Sequence, residues 1–401
     1  MDFYGYMRPN GKAGARNYVL LLPVNRSLNF IASNVERMTR NTHHFEIPAE
    51  TGRTEVDREV IARTLIGLMN NANVGGIVLL AVKSGAGSAY KNMCAERFEE
   101  EARKTGKPFR IVYLTNVGGS YNMLGETLRL TREVLLEVSD FRRENCPLSA
   151  LTLGVKCGTS DATSGIAGNP CVGAAFDQLI RAGGTAFFSE TTEIIGAEDL
   201  VAKRAGNESV AKKILSAARH WEDKAKATGE DIRKINPIPA NIAAGISSLE
   251  EKSLGAIAKS GTSPIQDVLK YAEMPKGSGL YFVDSWMSSL SLPLCLTACG
   301  ATIMLYQMGG GKIAQHPMMP SINPTVVSPF LYLTGNAIAY SRAPDNFDFD
   351  ASPIMTEGAS IPEMGTKLLE HLSAIASGTM TKMETLNYAE QLELYMEGPV
   401  L

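Results

Sequence analysis

The chain lacks the residue patterns that announce the commoner metal and redox sites. Its 401 residues include five histidines and six cysteines, yet no CxxC, HxH or HExxH spacing occurs, so spacing alone shows no metal site. There is no run of about 18 apolar residues, which leaves no candidate membrane span. The opening MDFYGYMRPNGKAG is polar and lacks the apolar segment of a secretory signal, so a cytoplasmic location is the expectation. Net charge is only −3, and neither nucleic acid nor an anionic membrane surface is expected as a partner. In a reducing compartment Cys94, Cys171, Cys295 and Cys299 are expected to be buried thiols. A GGGK run at Gly309–Lys312 lacks the following hydroxyl residue and helix signal of a nucleotide loop.

What is present belongs to a soluble globular protein: 44% hydrophobic and 20% charged residues, over a length that suits two domains. Apolar, β-prone runs alternate with helical periodicity. NYVLLLPV, VGGIVLLAV and PFRIVYLTN read as strands; SLNFIASNVERMTR, EVIARTLIGLMNNA, AYKNMCAERFEEEARKTG and ETLRLTREVLLEVSDFRREN read as helices. Cys146 and Pro147 mark a boundary, and a second set opens with LTLGVKC, followed by the helix PCVGAAFDQLIRAG and the strand GTAFFSE. GLYFVDSW and GATIMLYQMGGG add strands, AEDLVAKRAGNESVAKKILSAARHWEDKAKATG a long charged helical stretch, and IPEMGTKLLEHLSAIASG a last amphipathic helix. SLEEKSLGAIAKSG restarts a helix with Ser247 or Ser248 as N-cap. INPIPANIAAGISS, rich in proline and glycine, reads as a loop. The expected architecture is two Rossmann-like α/β domains with mostly parallel sheets, residues 1–145 and 146–401.

Open α/β sheets bind ligands beyond the carboxyl ends of their strands. Four polar loops fall there, after Val155, Phe188, Val283 and Leu305. The richest is LGVKCGTSDATSGIAGNP, Leu153–Pro170. Its glycines allow sharp turns and close approach of a ligand, and the helix starting at Asn169 or Pro170 has free N–H groups for a carboxylate or phosphate. Lys156 suits an anionic substrate, Asp161 a metal or a proton, and Cys157 a thiolate role. The plainer alternative is that Asp161 and Ser164 cap turns. In SETTEIIGAED, Glu190 is the better catalytic candidate, since a strand-end carboxylate near another acidic loop can have its pKa raised and abstract a proton. Glu198 and Asp199 read as partners of a helix dipole.

These stretches resemble the large catalytic region of the altronate and galactarate dehydratases. GYMRPNGKAGARNYVLLLPV is similar to the family's opening segment. LGVKCGTSDATSGIAGNPCVGAAFDQLIRAGGTAFFSETTEIIGAE is similar to its KCGGSDAxSGxxANPAVG…SE block, and NPIPANIAAGISSLEEKSLGAIAKSGTSPI to its PGNxxGGL…EKxxGxxxKxGxxPI block. The resemblance implies a lyase that removes water from a sugar acid. A base takes the proton next to the carboxylate, and a divalent metal, Fe2+ or Mn2+, helps to stabilise the enolate-like intermediate. A related branch expels sulfite from sulfolactate. The family also implies a small accessory domain or subunit, so an accessory partner, or a homo-oligomer, is expected beside the small acid substrate.

The departures from the family are as informative as the match. Family cysteines and a histidine are replaced in LLPVNRSLNF, IPAETGRTE and the KSGAG stretch beginning at Lys83, which puts the metal in doubt. His43 and His44 are nearby substitutes, or an exposed pair in a polar loop. A family lysine is Ile242 here, and a family arginine is Gly310, with Lys312 two residues on. Arginine grips carboxylates bidentately and lysine does not, so a smaller or less polar substrate than a hexarate is expected. Trp286 either lines a pocket or is core. Glu251 and Lys252 form a solvated pair or orient the site. The residues assigned to chemistry are Lys156, Asp161 and Glu190, with Asp161 and Glu190 also as metal ligands. Substrate contacts are assigned to Arg16, Asn17, Cys157, Ser160, Ser164, Asn169, Asn241 and Lys312, with Arg16 and Asn17 alternatively holding a strand entrance. A sulfo-lyase and a non-catalytic metabolite-binding homologue are the competing functions.

Overall fold

The alternating apolar and amphipathic stretches gather into three sheets in the computed structural model, which describes residues 1–83, 90–310, 323–386 and 393–400. Strands β1 (Asp2–Met7) and β2 (Ala13–Gly14) open the chain. They are followed by β3 (Tyr18–Pro23), β4 (Thr42–His44), β5 (Val74–Ala81) and β6 (Phe109–Tyr113). The last four form a parallel sheet in the order β4-β3-β5-β6. Strand β7 (Glu144–Pro147) returns antiparallel to β1, making a small sheet with β2.

The larger sheet holds β8 (Thr152–Gly158), β9 (Thr185–Phe188), β10 (Ile265–Leu269), β11 (Gly279–Val283), β12 (Ile303–Met308), β13 (Phe330–Thr334) and β14 (Phe349–Asp350). Its order is β10-β11-β9-β8-β12-β13-β14 and every neighbouring pair is parallel. The fold is α/β with mostly parallel sheets, as expected. Strands β5 and β8 run buried almost throughout, because helices cover both faces of a parallel sheet and leave no polar face in the sequence. From β8 the chain moves one way to β9 and on to the edge strand β10, fills the place between them with β11, then resumes on the other side with β12. The winding reverses at β8/β12, where such sheets open a crevice beyond the strand ends.

The two large sheets share apolar packing. One cluster joins Leu20, Leu65 and Leu79 to Leu292, Leu296 and Met304. Helix Glu55–Asn70 meets helix Ser291–Ala298 at Gly67, where any side chain would run into the Ala298 carbonyl. Asn71 Nδ2 donates to Thr297 O and Ala301 O, each at 2.9 Å, and Asn73 Nδ2 to Thr302 O at 2.9 Å.

Several local readings change. The stretch read as a proline-rich loop follows a one-turn helix, Ile232–Ile235, and itself contains another, Pro239–Ala243. Pro239 sits at a helix start, where its missing N–H costs nothing. The long charged stretch is two helices, Glu198–Lys203 and Glu208–Ala227. Asn207 caps the second by accepting from Val210 N at 3.1 Å. His43 and His44 are not a loop pair: they lie half-buried on edge strand β4 and both face Glu36. Cys94 is only half-buried, whereas Cys171, Cys295 and Cys299 are buried as expected. Ser248 does cap its helix, accepting from Glu251 N at 3.2 Å. Trp286 is half-buried against Tyr395, with ring centroids 4.8 Å apart, and donates to Ser291 Oγ. No described helix is long and apolar enough to cross a membrane.

Candidate active site

Two buried lysines and one buried carboxylate meet where β8 and β9 end. Lys156 sits on β8 and is 2% exposed, Glu190 follows β9 and is 0% exposed, and Lys259, in the turn after helix Leu249–Ile257, is 1% exposed. Lysine and glutamate are seldom buried this deeply unless paired. Lys156 Nζ lies 3.4 Å from Glu190 Oε1 and donates to Cys157 O at 2.6 Å. Lys259 Nζ forms a close ion pair with Glu190 Oε2 and donates to Cys157 Sγ at 3.0 Å. Glu190 Oε2 also accepts from Cys157 N at 3.1 Å and from its thiol at 3.5 Å. Tyr306 closes one side, its ring centroid 4.7 Å from Lys156 Nζ.

The protonation states follow from this packing. Burial alone would raise the Glu190 carboxyl, but Lys259 and then Lys156 hold it well below the usual range, the reverse of the raised value expected from its acidic loop, because two ammonium groups rather than carboxylates face it. Burial alone would lower Lys156; Tyr306 and Glu190 outweigh it, and its pKa rises. Lys259 rises for the same reason, through Cys157, Glu190 and Glu193. Burial, then the Glu190 charge, pushes the Cys157 thiol up to about 12, so it is neither a thiolate ligand nor a ready nucleophile. The resting cluster is two ammonium groups on one carboxylate, a local excess of positive charge that suits an anionic ligand.

The backbone is strained at the same place. Glu190 has φ 73° and Thr159, just past β8, has φ 45°. Both are left-handed conformations that residues with a Cβ rarely adopt, Thr least of all because it is β-branched. Such strain collects where a side chain must be aimed.

Beside the cluster, Glu193 Oε1 pairs with Lys252 Nζ at 3.1 Å, and Lys252 also donates to Asn236 Oδ1 at 2.6 Å. Glu251 instead turns outward and accepts from Ser247 N at 2.6 Å. Glu251 and Lys252 are therefore not paired with each other. Four residues around the loops carry buried side-chain atoms with no hydrogen-bond partner among the described residues: Glu193 at Oε2, Asn169 at Oδ1, Asn241 at Oδ1, and Gln307 at both its amide atoms. Asn241 Nδ2 donates to Ser160 O at 3.0 Å, docking helix Pro239–Ala243 on the loop after β8, and Asn169 Nδ2 donates to Gly255 O at 2.8 Å.

Lys156, Cys157 and Glu190 are thus brought together, with Ser160, Asn169 and Asn241 on the surrounding loops. Asp161 is not in the ion cluster. Its Oδ1 accepts from Thr163 Oγ1 at 2.7 Å, Ser164 N at 3.0 Å and Ser164 Oγ at 3.2 Å. Its Oδ2 accepts from Gly310 N at 2.7 Å and Asn336 Nδ2 at 3.0 Å. This occupies the carboxylate with holding the β8 loop to the loop after β12, and Ser164 shares that role. Arg16 and Asn17 do not reach the site either. Arg16 grips Glu384 with Nε and Nη2, both at 2.7 Å, and donates to Ile375 O and Thr379 O. Asn17 accepts from Arg8 at 2.8 Å and donates to Val138 O at 3.0 Å. Both precede β3, at the amino end of that strand, whereas ligands of such sheets bind beyond the carboxyl ends. Lys312 lies outside the described residues.

The donor set does not fit a divalent cation on Asp161 and Glu190. Two ammonium groups already neutralise Glu190, and five hydrogen-bond donors engage Asp161. No three His, Cys, Asp or Glu side chains gather as metal ligands among the described residues.

Lys259 and Gln307 were missed from the sequence. Lys259 had a legible signal: Leu249, Lys252, Ser253, Ala256, Lys259 and Ser260 form one buried seam, and a lysine on an apolar helical stripe needs a buried counter-charge. Gln307 lay inside a strand read as ordinary core.

Comparison with known proteins fits this picture. The chain is 32% identical over 394 residues to (2R)-sulfolactate sulfo-lyase subunit beta of Chromohalobacter salexigens, covering 97% of this chain and 96% of that one. It is 29% identical to altronate dehydratase of Bacillus subtilis, covering 100% of this chain and 78% of that one. It is also 29% identical to galactarate dehydratase (L-threo-forming) of Escherichia coli, covering 99% and 77%. The class is that of a lyase, built on a doubly wound α/β scaffold. Family models for the second domain of D-galactarate dehydratase/altronate hydrolase and the C-terminal domain of D-galactarate/altronate dehydratase match residues 5–139 and 148–399. The chain belongs to the galactarate/altronate dehydratase family.

Proposed function

We propose that this chain catalyses β-elimination of water from a small 2,3-dihydroxy acid or sugar acid, with Glu190 as base and Lys156 and Lys259 as the stabilising cations. The observation that carries this is the pair of buried ammonium groups on one buried carboxylate, at strand ends beside the winding reversal. A substrate carboxylate enters the positive excess and draws charge from the lysines, which frees Glu190 to act. Glu190 takes the proton from the carbon next to the carboxylate. The C–H electrons become the new C=C bond as the C3–O bond breaks. An ammonium proton goes to the departing hydroxyl, giving water, and the enol then tautomerises to a 2-keto acid. Glu190 returns its proton to the neutral lysine through their hydrogen bond, which resets the cluster. Ammonium groups supply the electrostatic stabilisation here, and no step is assigned to a divalent metal.

The sulfo-lyase reading is favoured by one finding: the sulfo-lyase subunit matches this chain over almost the whole of both lengths. The same proton abstraction would then expel sulfite from a 3-sulfo-2-hydroxy acid. That relative is by name a subunit, which supports a partner chain for this one as well. We place the activity in cytoplasmic carbohydrate or sulfonate metabolism.

The test is product analysis with 2,3-dihydroxy acids, sugar acids and 3-sulfolactate, with and without added Fe2+ or Mn2+. A 2-keto acid without sulfite supports dehydration; sulfite with pyruvate supports the second reading. Glu190→Gln should lower turnover at least ~10³-fold. Full turnover in that variant would remove Glu190 from the mechanism.

A further inference from the structure

Gln307 is the least explained buried polar residue in the molecule. It is 0% exposed, and neither its Nε2 nor its Oε1 has a hydrogen-bond partner among the described residues. Folded proteins rarely leave a complete amide unpaired, since a buried donor or acceptor without a partner costs the full loss of its hydration. Something beyond the described residues satisfies this one, and its position indicates what.

Gln307 is the penultimate residue of β12 and stands directly beside Cys157 in the parallel pairing of β12 with β8. Residues in register on adjacent parallel strands share a face of the sheet and lie about 4.8 Å apart. Lys156 and Tyr306, one residue earlier on each strand, share the opposite face, where ammonium and ring meet. The face of Gln307 is therefore that of Cys157, whose N–H and thiol hold Glu190. Its amide packs on Gly168, where any side chain would overlap it. That glycine leads into helix Asn169–Arg181, and Asn169 carries another unpartnered oxygen.

We infer that Gln307 positions the substrate by reading the edge formed by its carboxylate and 2-hydroxyl. A primary amide offers one donor side and one acceptor side. A 2-hydroxy acid offers the complement: a carboxylate oxygen to accept from Nε2 and a hydroxyl to donate to Oε1. Asn169 Oδ1 is a further acceptor for a hydroxyl farther along the chain. The inference rests on the lyase reading for the presence of an acid in the site. It adds Gln307 as the specificity-determining residue that reads the 2-hydroxyl of that acid.

Lactate and propionate differ only in the 2-hydroxyl, and lactate has no leaving group at C3, so neither turns over. Calorimetric titration of the full chain with each should show lactate binding about tenfold tighter, the equivalent of one well-made polar contact. In Gln307→Met the preference for lactate should vanish, and the ligand-free variant should melt no lower than the parent, because the substitution removes an unpaired polar group. Gln307→Glu keeps the shape but faces an anion with an anion; it should bind lactate more weakly than Gln307→Met does. Equal binding of the two acids by the parent chain, or an unchanged preference in both variants, overturns the inference and leaves a structural water as the amide's partner. A loss of Tm in both variants with the lactate preference intact does the same. These readings need no turnover. Loss of the lyase reading would be seen instead as absent product with the lactate preference still present.

Discussion

Two neighbouring loops each present a carboxylate beyond the same sheet, and they have opposite surroundings. Glu190, after β9, is met by two ammonium groups, a backbone N–H and a thiol. Asp161, after β8, is met by five donors, none of them charged. Neutral donors, three of them within its own turn, make a carboxylate a tie between loops. Buried cations make it one half of a charged pair, the arrangement that the proposed proton transfer needs. Burial and acidity are shared by both residues; the charge of the partners separates them.

The largest effect that would break this contrast is at Lys259. Lys259→Met should leave Glu190 with one cation and cut kcat by ~10²-fold or more, while Lys156 keeps the fold closed. Unchanged kcat would mean that Lys259 only neutralises buried charge. Its stability cost should be about 3–5 kcal/mol, the usual penalty for breaking a buried pair from one side, read by denaturant melts.

The next effect is in pH. Glu190 is depressed on folding, so its contribution is complete above its unfolded value of about 4.3 and fades as pH falls through the lower folded value. Lys156 and Lys259 are raised, so theirs is complete below about 10.4 and fades as pH rises through the higher folded values. The cluster should hold its full stabilisation from about pH 5 to 10. In Lys259→Met the alkaline part should shrink, leaving Lys156 alone to supply it. Melting curves across pH for both proteins would show this, and identical alkaline limbs would contradict the assigned charges.

The smallest effect is at Asp161. Asp161→Asn exchanges one acceptor oxygen for an N–H facing Gly310 N or Ser164, and should cost about 1–3 kcal/mol with kcat reduced less than ~10-fold. A loss of kcat matching that of Glu190→Gln would erase the distinction between the two loops.

The fold was largely legible because both large sheets are parallel and buried, so β3 and β5 read as apolar runs, and β8 and β12 as apolar runs up to a polar residue near their carboxyl ends, between amphipathic helices. The small antiparallel sheet was not legible: β2 is two residues long, and β7 is four residues ending in proline. The site was half legible. Lys156 and Glu190 stood out as charges at strand ends. Arg16 and Asp161 stood out equally, and their partners Glu384, Gly310 and Asn336 come from distant segments. Residue order does not reveal which charge will face which. Lys259 lay on a helical repeat that could have been read, whereas Gln307 was hidden because a buried polar residue looks like any other member of a strand until its neighbours are known.

The bidentate grip of Arg16 on Glu384, together with the pairing of β1 with β7, binds the beginning of the chain to segments made much later. During synthesis on the ribosome β1 and β3 find their strand partners by about residue 147, but the Arg16 guanidinium has no carboxylate until residue 384 has emerged. Completion of the fold is therefore a post-translational event, and a nascent chain stalled short of residue 384 would leave a buried guanidinium without its counter-charge.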